Sequence, residues 1–254
     1  MLESYIAERK KQQSLLLMTH IVIGYPSLQA SLEIVDAMVE AGVELMELQI
    51  PFSEPIADGP VILRANQRSL ANGTRVDDCF RFAETVCRRH AIPFLFMSYY
   101  NAFVARGVEP FVARMKSVGL RGAIVPDCPP EEGQEYLAAM GQHGLDPVFI
   151  FSPNSPLERM QALGRISKGL VYCVARKGVT GAKTQFSVDL DDYLQRCRAA
   201  TNLPLAVGFG VKESSDLDYL RGKVDIAVVG SESIRVVDNQ GTAAIGPFIR
   251  SLRP

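Results

Sequence analysis

Tryptophan is absent from the 254 residues, and histidine occurs only at His20, His90 and His143. The three histidines lie far apart, and none stands beside Cys or Asp at ligand spacing, so the sequence offers no metal motif. The five cysteines (Cys79, Cys87, Cys128, Cys173, Cys197) are odd in number and scattered. That fits a reduced, cytoplasmic protein better than a disulfide framework. A dominant sign of charge is also lacking. The 27 Lys and Arg nearly balance the 28 Asp and Glu, for a net charge of -1. Without a basic stripe, nucleic acid is an unsuitable partner. No apolar run is long enough to span a bilayer, and the opening MLESYIAERKKQQ is too charged for a secretory signal. Ser and Cys nucleophile motifs are missing, and no lysine falls inside a predicted strand as a Schiff-base lysine would.

What is present is a large apolar fraction, 47 %, distributed in a regular rhythm. After a charged opening helix, near-continuous apolar runs at 15–24, 43–50, 92–99, 122–127, 147–152, 170–175, 205–210 and 225–231 read as buried strands. Helical spacing fills 27–42, 76–90, 108–118, 130–143, 156–167, 189–200, 213–221 and 242–252. Continuous apolar strands alternating with amphipathic helices predict a parallel sheet covered by helices. Eight such units, in a chain close to the usual length of about 250 residues, predict one (β/α)8 TIM barrel over residues 1–254. An extra N-terminal helix precedes it, and no linker divides it.

A barrel places its chemistry at the C-terminal ends of the strands. The stretch LMELQIPFSEPIADG (45–59) ends the second strand and opens a long loop, which includes a short helix in VILRANQRSLAN. Two acids interrupt it. Period-two alternation puts Glu47 on the inward face with Leu45 and Gln49, and Met46 and Leu48 against the helices. An apolar floor raises the pKa of a buried carboxyl, which suits a proton donor working near neutrality. Asp58, on a wetter loop, is expected to remain an anion that accepts a hydrogen bond from an N–H. Tyr99 and Tyr172 are expected to turn their rings into the same cavity, and Phe209 to line its wall. His20 is expected to be a packed, hydrogen-bonded histidine facing the barrel interior. A second long loop, ARKGVTGAKTQF (175–186), has the polar, glycine-containing composition of a lid, with Thr180 placed to orient Asp58.

The last two strands end in AVGFG (206–210) and AVVGSES (227–233). Glycines there let backbone N–H groups approach a phosphate, Ser231 adds a hydroxyl, and the helix that follows aims its positive end at the anion. Glu232 is expected to point away from that site.

The chain resembles the tryptophan synthase alpha subunit family. The likeness takes in ELQIPFSEPIADGP (47–60), MSYYN (97–101), IVPDCPPEE (124–132), ARKGVTG (175–181), GFGV (208–211) and VVGS (228–231), in family order. The resemblance implies retro-aldol cleavage of indole-3-glycerol phosphate to indole and glyceraldehyde 3-phosphate. Glu47 would be the general acid–base at indole C3, and Asp58 the acceptor of the indole N–H. It further implies Thr180 as the lid residue, Tyr172 as the active-site tyrosine, and a phosphate site at Gly181, Gly210, Gly230 and Ser231. No cofactor is implied for this chain; pyridoxal phosphate belongs to the implied partner, the beta subunit of an alpha2-beta2 tetramer.

Three residues depart from the family pattern. Gln49 replaces a usual glycine about 6.6 Å along the strand from Glu47, placed to hydrogen-bond Glu47 or to crowd the pocket mouth. Glu54 replaces a usual aspartate, and His20 stands where an aromatic residue is expected. These departures keep two competing readings open: another phosphate-binding barrel enzyme, such as a sugar-phosphate isomerase, and a catalytically weak homologue that chiefly activates the beta subunit.

Overall fold

The computed structural model describes residues 2–175, 183–208 and 210–253, excepting the side chains of 183–188. Helix α1 (Leu2–Lys10) is followed by strands β1 (Leu16–Val22), β2 (Leu45–Gln49), β3 (Phe94–Met97), β4 (Gly122–Ile124), β5 (Asp146–Val148), β6 (Ile150–Phe151), β7 (Val171–Val174), β8 (Leu205–Gly208) and β9 (Ile226–Val229). All pairings are parallel, in the order β5-β4-β3-β2-β1-β9-β8-β7-β6. The two strands at the ends of this order are halves of one stretch separated by Phe149, whose carbonyl accepts from Tyr172 N at 3.0 Å. The sheet therefore closes on itself through that stretch. The nine strands are the eight expected ones with the fifth divided.

Between strands lie α2 (Leu28–Glu40), α3 (Pro60–Ala71), α4 (Val76–Arg89), α5 (Tyr100–Val104), α6 (Val108–Ser117), α7 (Gln134–His143), α8 (Leu157–Ile166), α9 (Lys183–Ala200), α10 (Ser214–Leu220), α11 (Ser231–Gln240) and α12 (Ile245–Ser251). Two of these differ from the sequence expectation. Helix α5 follows β3 directly, in a segment too short for periodicity to register. Helix α9 begins six residues earlier than the predicted 189. The helix expected after the eighth strand is α11, and α12 falls within the expected 242–252; Gly241 (φ +83°), a conformation that favours glycine, ends α11.

Alternation along the strands divides the core in two. Leu17, Met46, Leu48, Phe94 and Phe96 face outward against the helices, whereas Leu16, Met18, Leu45, Leu95, Ile124, Ile226 and Val228 fill the barrel interior. Leu2 and Ile6 of α1 join the interior group and plug its floor. Beside the plug, buried Glu44 accepts from Leu17 N (2.7 Å) and from both Arg253 guanidinium nitrogens (2.8 and 2.9 Å). Donors so placed offset the cost of burying a polar side chain.

Candidate active site

In the β1–β2 pairing Met18 lies opposite Leu45, His20 opposite Glu47 and Val22 opposite Gln49. The same alternation that sends Met18 and Leu45 into the apolar interior carries His20, Glu47 and Gln49 to the layers above it. There the barrel opens into a cavity of about 150 Å³, lined by Glu47, Asp58, Tyr172, Met97, Ile124, Ile150, Gly208 and Gly230 among others.

Glu47 is 3 % exposed, and its Oε1 has no hydrogen-bond partner among the described residues. Burial, then the negative charge of Asp58, push its pKa up to about 8, and the interaction with the Tyr172 hydroxyl offsets part of this. The carboxyl is thus mostly protonated at neutral pH and faces the cavity, the state expected from its apolar surroundings. Burial and the nearby Glu47 also raise the Tyr172 phenol well above its usual range, so it stays a hydroxyl donor.

Asp58 ends the loop after β2, where α3 begins at Pro60 with Gly59 as its cap. Its Oδ2 accepts from Gln49 Nε2 at 2.7 Å and from the Tyr99 hydroxyl at 3.1 Å. The Tyr99 oxygen in turn accepts from Ala57 N at 3.1 Å, and its ring stacks on Phe52 with centroids 4.9 Å apart. Tyr99 lies on the inward side with Leu95 and Met97, as alternation suggested, and its hydroxyl bonds Asp58 at the cavity and helps hold the loop. Gln49 departs from expectation. Its amide bonds Asp58 on one side and, at 2.8 Å, His20 Nε2 on the other, leaving Glu47 alone. His20 is buried and hydrogen-bonded, as expected.

Across the mouth, α11 starts at Ser231 from the cavity-lining Gly230. Glu232 pairs with Arg235 at 2.8 Å, which neutralises the one acid in that first turn. Gly210 has φ +81°, a left-handed turn just past β8. Thr180, Gly181 and Phe209 lie outside the described residues, as does 176–182 of the expected lid, while its end, 183–186, belongs to α9. Glu54 is exposed on the loop after β2. No group of His, Cys, Asp and Glu among the described residues has the arrangement of a metal site.

One functional position was missed in the sequence. A Cβ at Gly208 would lie 2.8 Å from the Tyr172 hydroxyl, so the glycine provides the space in which Tyr172 reaches Glu47. Glycine at a strand end is too common a signal to have revealed this. Gly208→Ala is expected to displace the phenol and lower turnover about 10- to 100-fold, while the melting temperature stays near that of the wild type; steady-state kinetics with thermal unfolding check both.

A closed parallel barrel with a protonated carboxyl and an oriented carboxylate at one mouth defines an enzyme of the acid–base class, built on the (β/α)8 frame. The profile of the tryptophan synthase alpha chain matches residues 6–246. A tryptophan synthase alpha chain from Desulforapulum autotrophicum is 60 % identical over 252 residues, covering 99 % of this chain and 100 % of the relative. One from Syntrophotalea carbinolica is 60 % identical over 253 residues, with both chains fully covered. Among solved structures, tryptophan synthase from M. tuberculosis superposes with a TM-score of 0.90 at 28 % identity, covering 99 % of this chain and 97 % of that one. The tryptophan synthase complex from Pyrococcus furiosus superposes at 0.86 and 29 % identity, covering 93 % and 97 %. The chain belongs to the tryptophan synthase alpha chain family.

Proposed function

We propose that Glu47 and Asp58 are the catalytic pair for cleavage of indole-3-glycerol phosphate. As a tryptophan synthase alpha chain, the protein is a lyase of tryptophan biosynthesis that forms indole and glyceraldehyde 3-phosphate from that substrate. The observation that supports the assignment is the pairing of a cavity-facing carboxyl, raised to about 8, with a carboxylate held by two hydrogen bonds in the same wall.

Protonated Glu47 delivers its proton to indole C3, and the ring nitrogen lone pair moves in to form an iminium. Asp58 accepts the N–H, whose acidity rises as that charge develops, and so favours the transition state over the ground state. The glycerol hydroxyl next to the ring then gives its proton to the Glu47 carboxylate. Its oxygen becomes the aldehyde, and the electrons of the breaking C–C bond return to the indole ring. Glu47 ends protonated, ready for another cycle. Tyr172 donates to Glu47 in its anionic stage, and Tyr99 secures Asp58 from behind.

The phosphate is assigned to Gly210, Gly230 and Ser231, with Gly181 from the segment after β7; the start of α11 at the cavity edge supports this. Thr180 is assigned to orient Asp58, and Phe209 to line the pocket. The alpha reaction needs no cofactor, and pyridoxal phosphate is assigned to the beta subunit. A beta subunit is the implied partner, since complexes of tryptophan synthase are among the structural neighbours. We take the assembly to be alpha2-beta2. The loop after β2 supports docking, for Ile56 is 81 % exposed there beside Glu54. The remaining assignments are a single working domain over residues 1–254 and a cytoplasmic location. No helix among the described residues is long and apolar enough to cross a membrane.

The isolated chain, assayed with indole-3-glycerol phosphate, is expected to release indole slowly, and faster when a cognate beta subunit is added. Absence of indole release in both conditions would overturn the catalytic assignment and favour a beta activator without chemistry. Gln49 no longer argues for that reading, because it supports Asp58 instead of obstructing the pocket.

A further inference from the structure

Gln49 is the last residue of β2 and fully buried, and Asp58 sits nine residues on, at the far end of the loop that β2 feeds. The 2.7 Å bond from Gln49 Nε2 to Asp58 Oδ2 ties the loop back to the strand that launches it. A carboxylate only accepts, so the amide must turn its nitrogen to Asp58 and its oxygen to His20. His20 Nε2, 2.8 Å from that oxygen, must then carry the proton. Each link fixes the next: the anion sets the amide, and the amide sets the imidazole tautomer. Burial lowers the His20 pKa, so the ring that completes the chain is neutral. Both donors from the described residues, Gln49 and Tyr99, land on Oδ2, which leaves Oδ1 for a ligand in the cavity.

We propose that Gln49 and His20 are positioning residues, a buried imidazole–amide chain that holds Asp58 so that Oδ1 is presented to the substrate N–H. The proposal rests on the assignment of Asp58 as the N–H acceptor. It goes beyond that assignment by giving a role to two residues that touch Asp58 directly and through one another. A carboxylate on a loop can rotate about its Cβ–Cγ bond. One held by a strand residue, which is itself held by a neighbouring strand, presents one oxygen in one direction, and orientation of this kind acts on the reacting geometry.

The test compares Gln49→Met, Gln49→Glu and Asp58→Asn for indole release across pH, with thermal unfolding of each. Gln49→Met keeps the length of the side chain and removes both hydrogen bonds. It is expected to lower kcat/KM about 10- to 100-fold, the loss for one hydrogen bond to a charged group, equally at every pH. Gln49→Glu places a second carboxyl against Asp58, which can donate only while protonated. The titratable groups facing position 49 are His20 from β1 and Asp58 from the loop, with Tyr99 behind Asp58 and Glu47 two residues earlier on the same strand face. Gln49→Glu is therefore expected to match Gln49→Met near pH 8 and to recover toward wild-type activity in acid, as one proton is shared across the pair. A residue that merely fills space would not produce that recovery.

Should either Gln49 variant fail to fold, nitrogen NMR of the wild-type imidazoles, assigned with His20→Phe, reads the tautomer directly. Protonation at Nε2 is expected, and a proton on Nδ1 overturns the chain. Wild-type activity in Gln49→Met, alongside a large loss in Asp58→Asn, overturns the positioning role while leaving Asp58 in place. Wild-type activity in Asp58→Asn removes the underlying assignment, and the proposal with it.

Discussion

Glu47→Gln is expected to reduce indole release about 10³-fold while leaving the barrel folded. Glutamine has the shape of the neutral carboxyl that occupies the site at pH 7, yet it has no proton to give to indole C3. Loss of a positioned general acid typically costs 10²- to 10⁴-fold. The same substitution has an opposite effect on stability. Glu47 ionises near pH 8 in the folded protein, against 4.5 for the ordinary group. Between those values the folded state holds a proton that the unfolded chain has released, so raising the pH favours unfolding. The contribution is fully present below about pH 4.5 and is lost by about pH 8. Glu47→Gln abolishes this dependence. Its melting temperature should match the wild type in acid and exceed it progressively toward pH 8. An inactive variant whose stability gain over the wild type is no larger at pH 8 than at pH 5 would show that Glu47 is not the buried acid described. Wild-type turnover, in turn, should fall as pH rises through about 8, where Glu47 loses the proton that the first step requires.

Asp58→Asn should produce the second largest loss, about 10²- to 10³-fold in kcat/KM, the range found when one group that stabilises transition-state charge is removed. The substitution is nearly isosteric, but Gln49 and Tyr99 both donate toward the side chain and dictate its orientation. Asparagine must offer them its carbonyl oxygen, which turns its NH₂ toward the ligand. Two N–H donors then face each other where the indole needs an acceptor, and neither can be satisfied in a buried pocket. The loss should fall on kcat as well as KM, because the missing negative charge matters most when the ring carries positive charge. An increase in KM alone would make Asp58 a binding residue without a part in the chemical step.

Strand alternation was sufficient to place Glu47. Every second residue of β2 is apolar and faces the helices, so an acid on the other face had to enter the barrel, and the raised carboxyl follows from what surrounds it there. The eight-unit rhythm likewise gave the closed barrel, because buried parallel strands have a distinctive apolar continuity. The division at Phe149 did not show, since a break in pairing leaves hydropathy unchanged. Gln49 was visible as a departure but not as a contact. Its partners come from β1 and from a loop tip, and whether an amide turns toward Glu47 or Asp58 depends on how that loop folds back. Tyr99 continues the inward face of Leu95 and Met97, as alternation expects, but its bond to Asp58 could not be read from alternation because it too depends on the folded-back loop. Gly208 is informative only once Tyr172 is seen in the space that a side chain would occupy.

The floor plug has a consequence for the order in which this chain can acquire its shape. Helix α1 precedes every strand of the barrel, yet beyond Glu44 its ties reach to Asp146, Gly169 and Asp225, through Leu2 N at 3.3 Å, Glu3 at 3.2 Å and the Lys10 ammonium. Arg253, which locks Glu44 beside it, is made later still. During synthesis the apolar face of Leu2 and Ile6 must therefore wait, without its final seat, for more than two hundred residues to leave the ribosome. Such delayed, long-range closure is slow compared with local helix pairing.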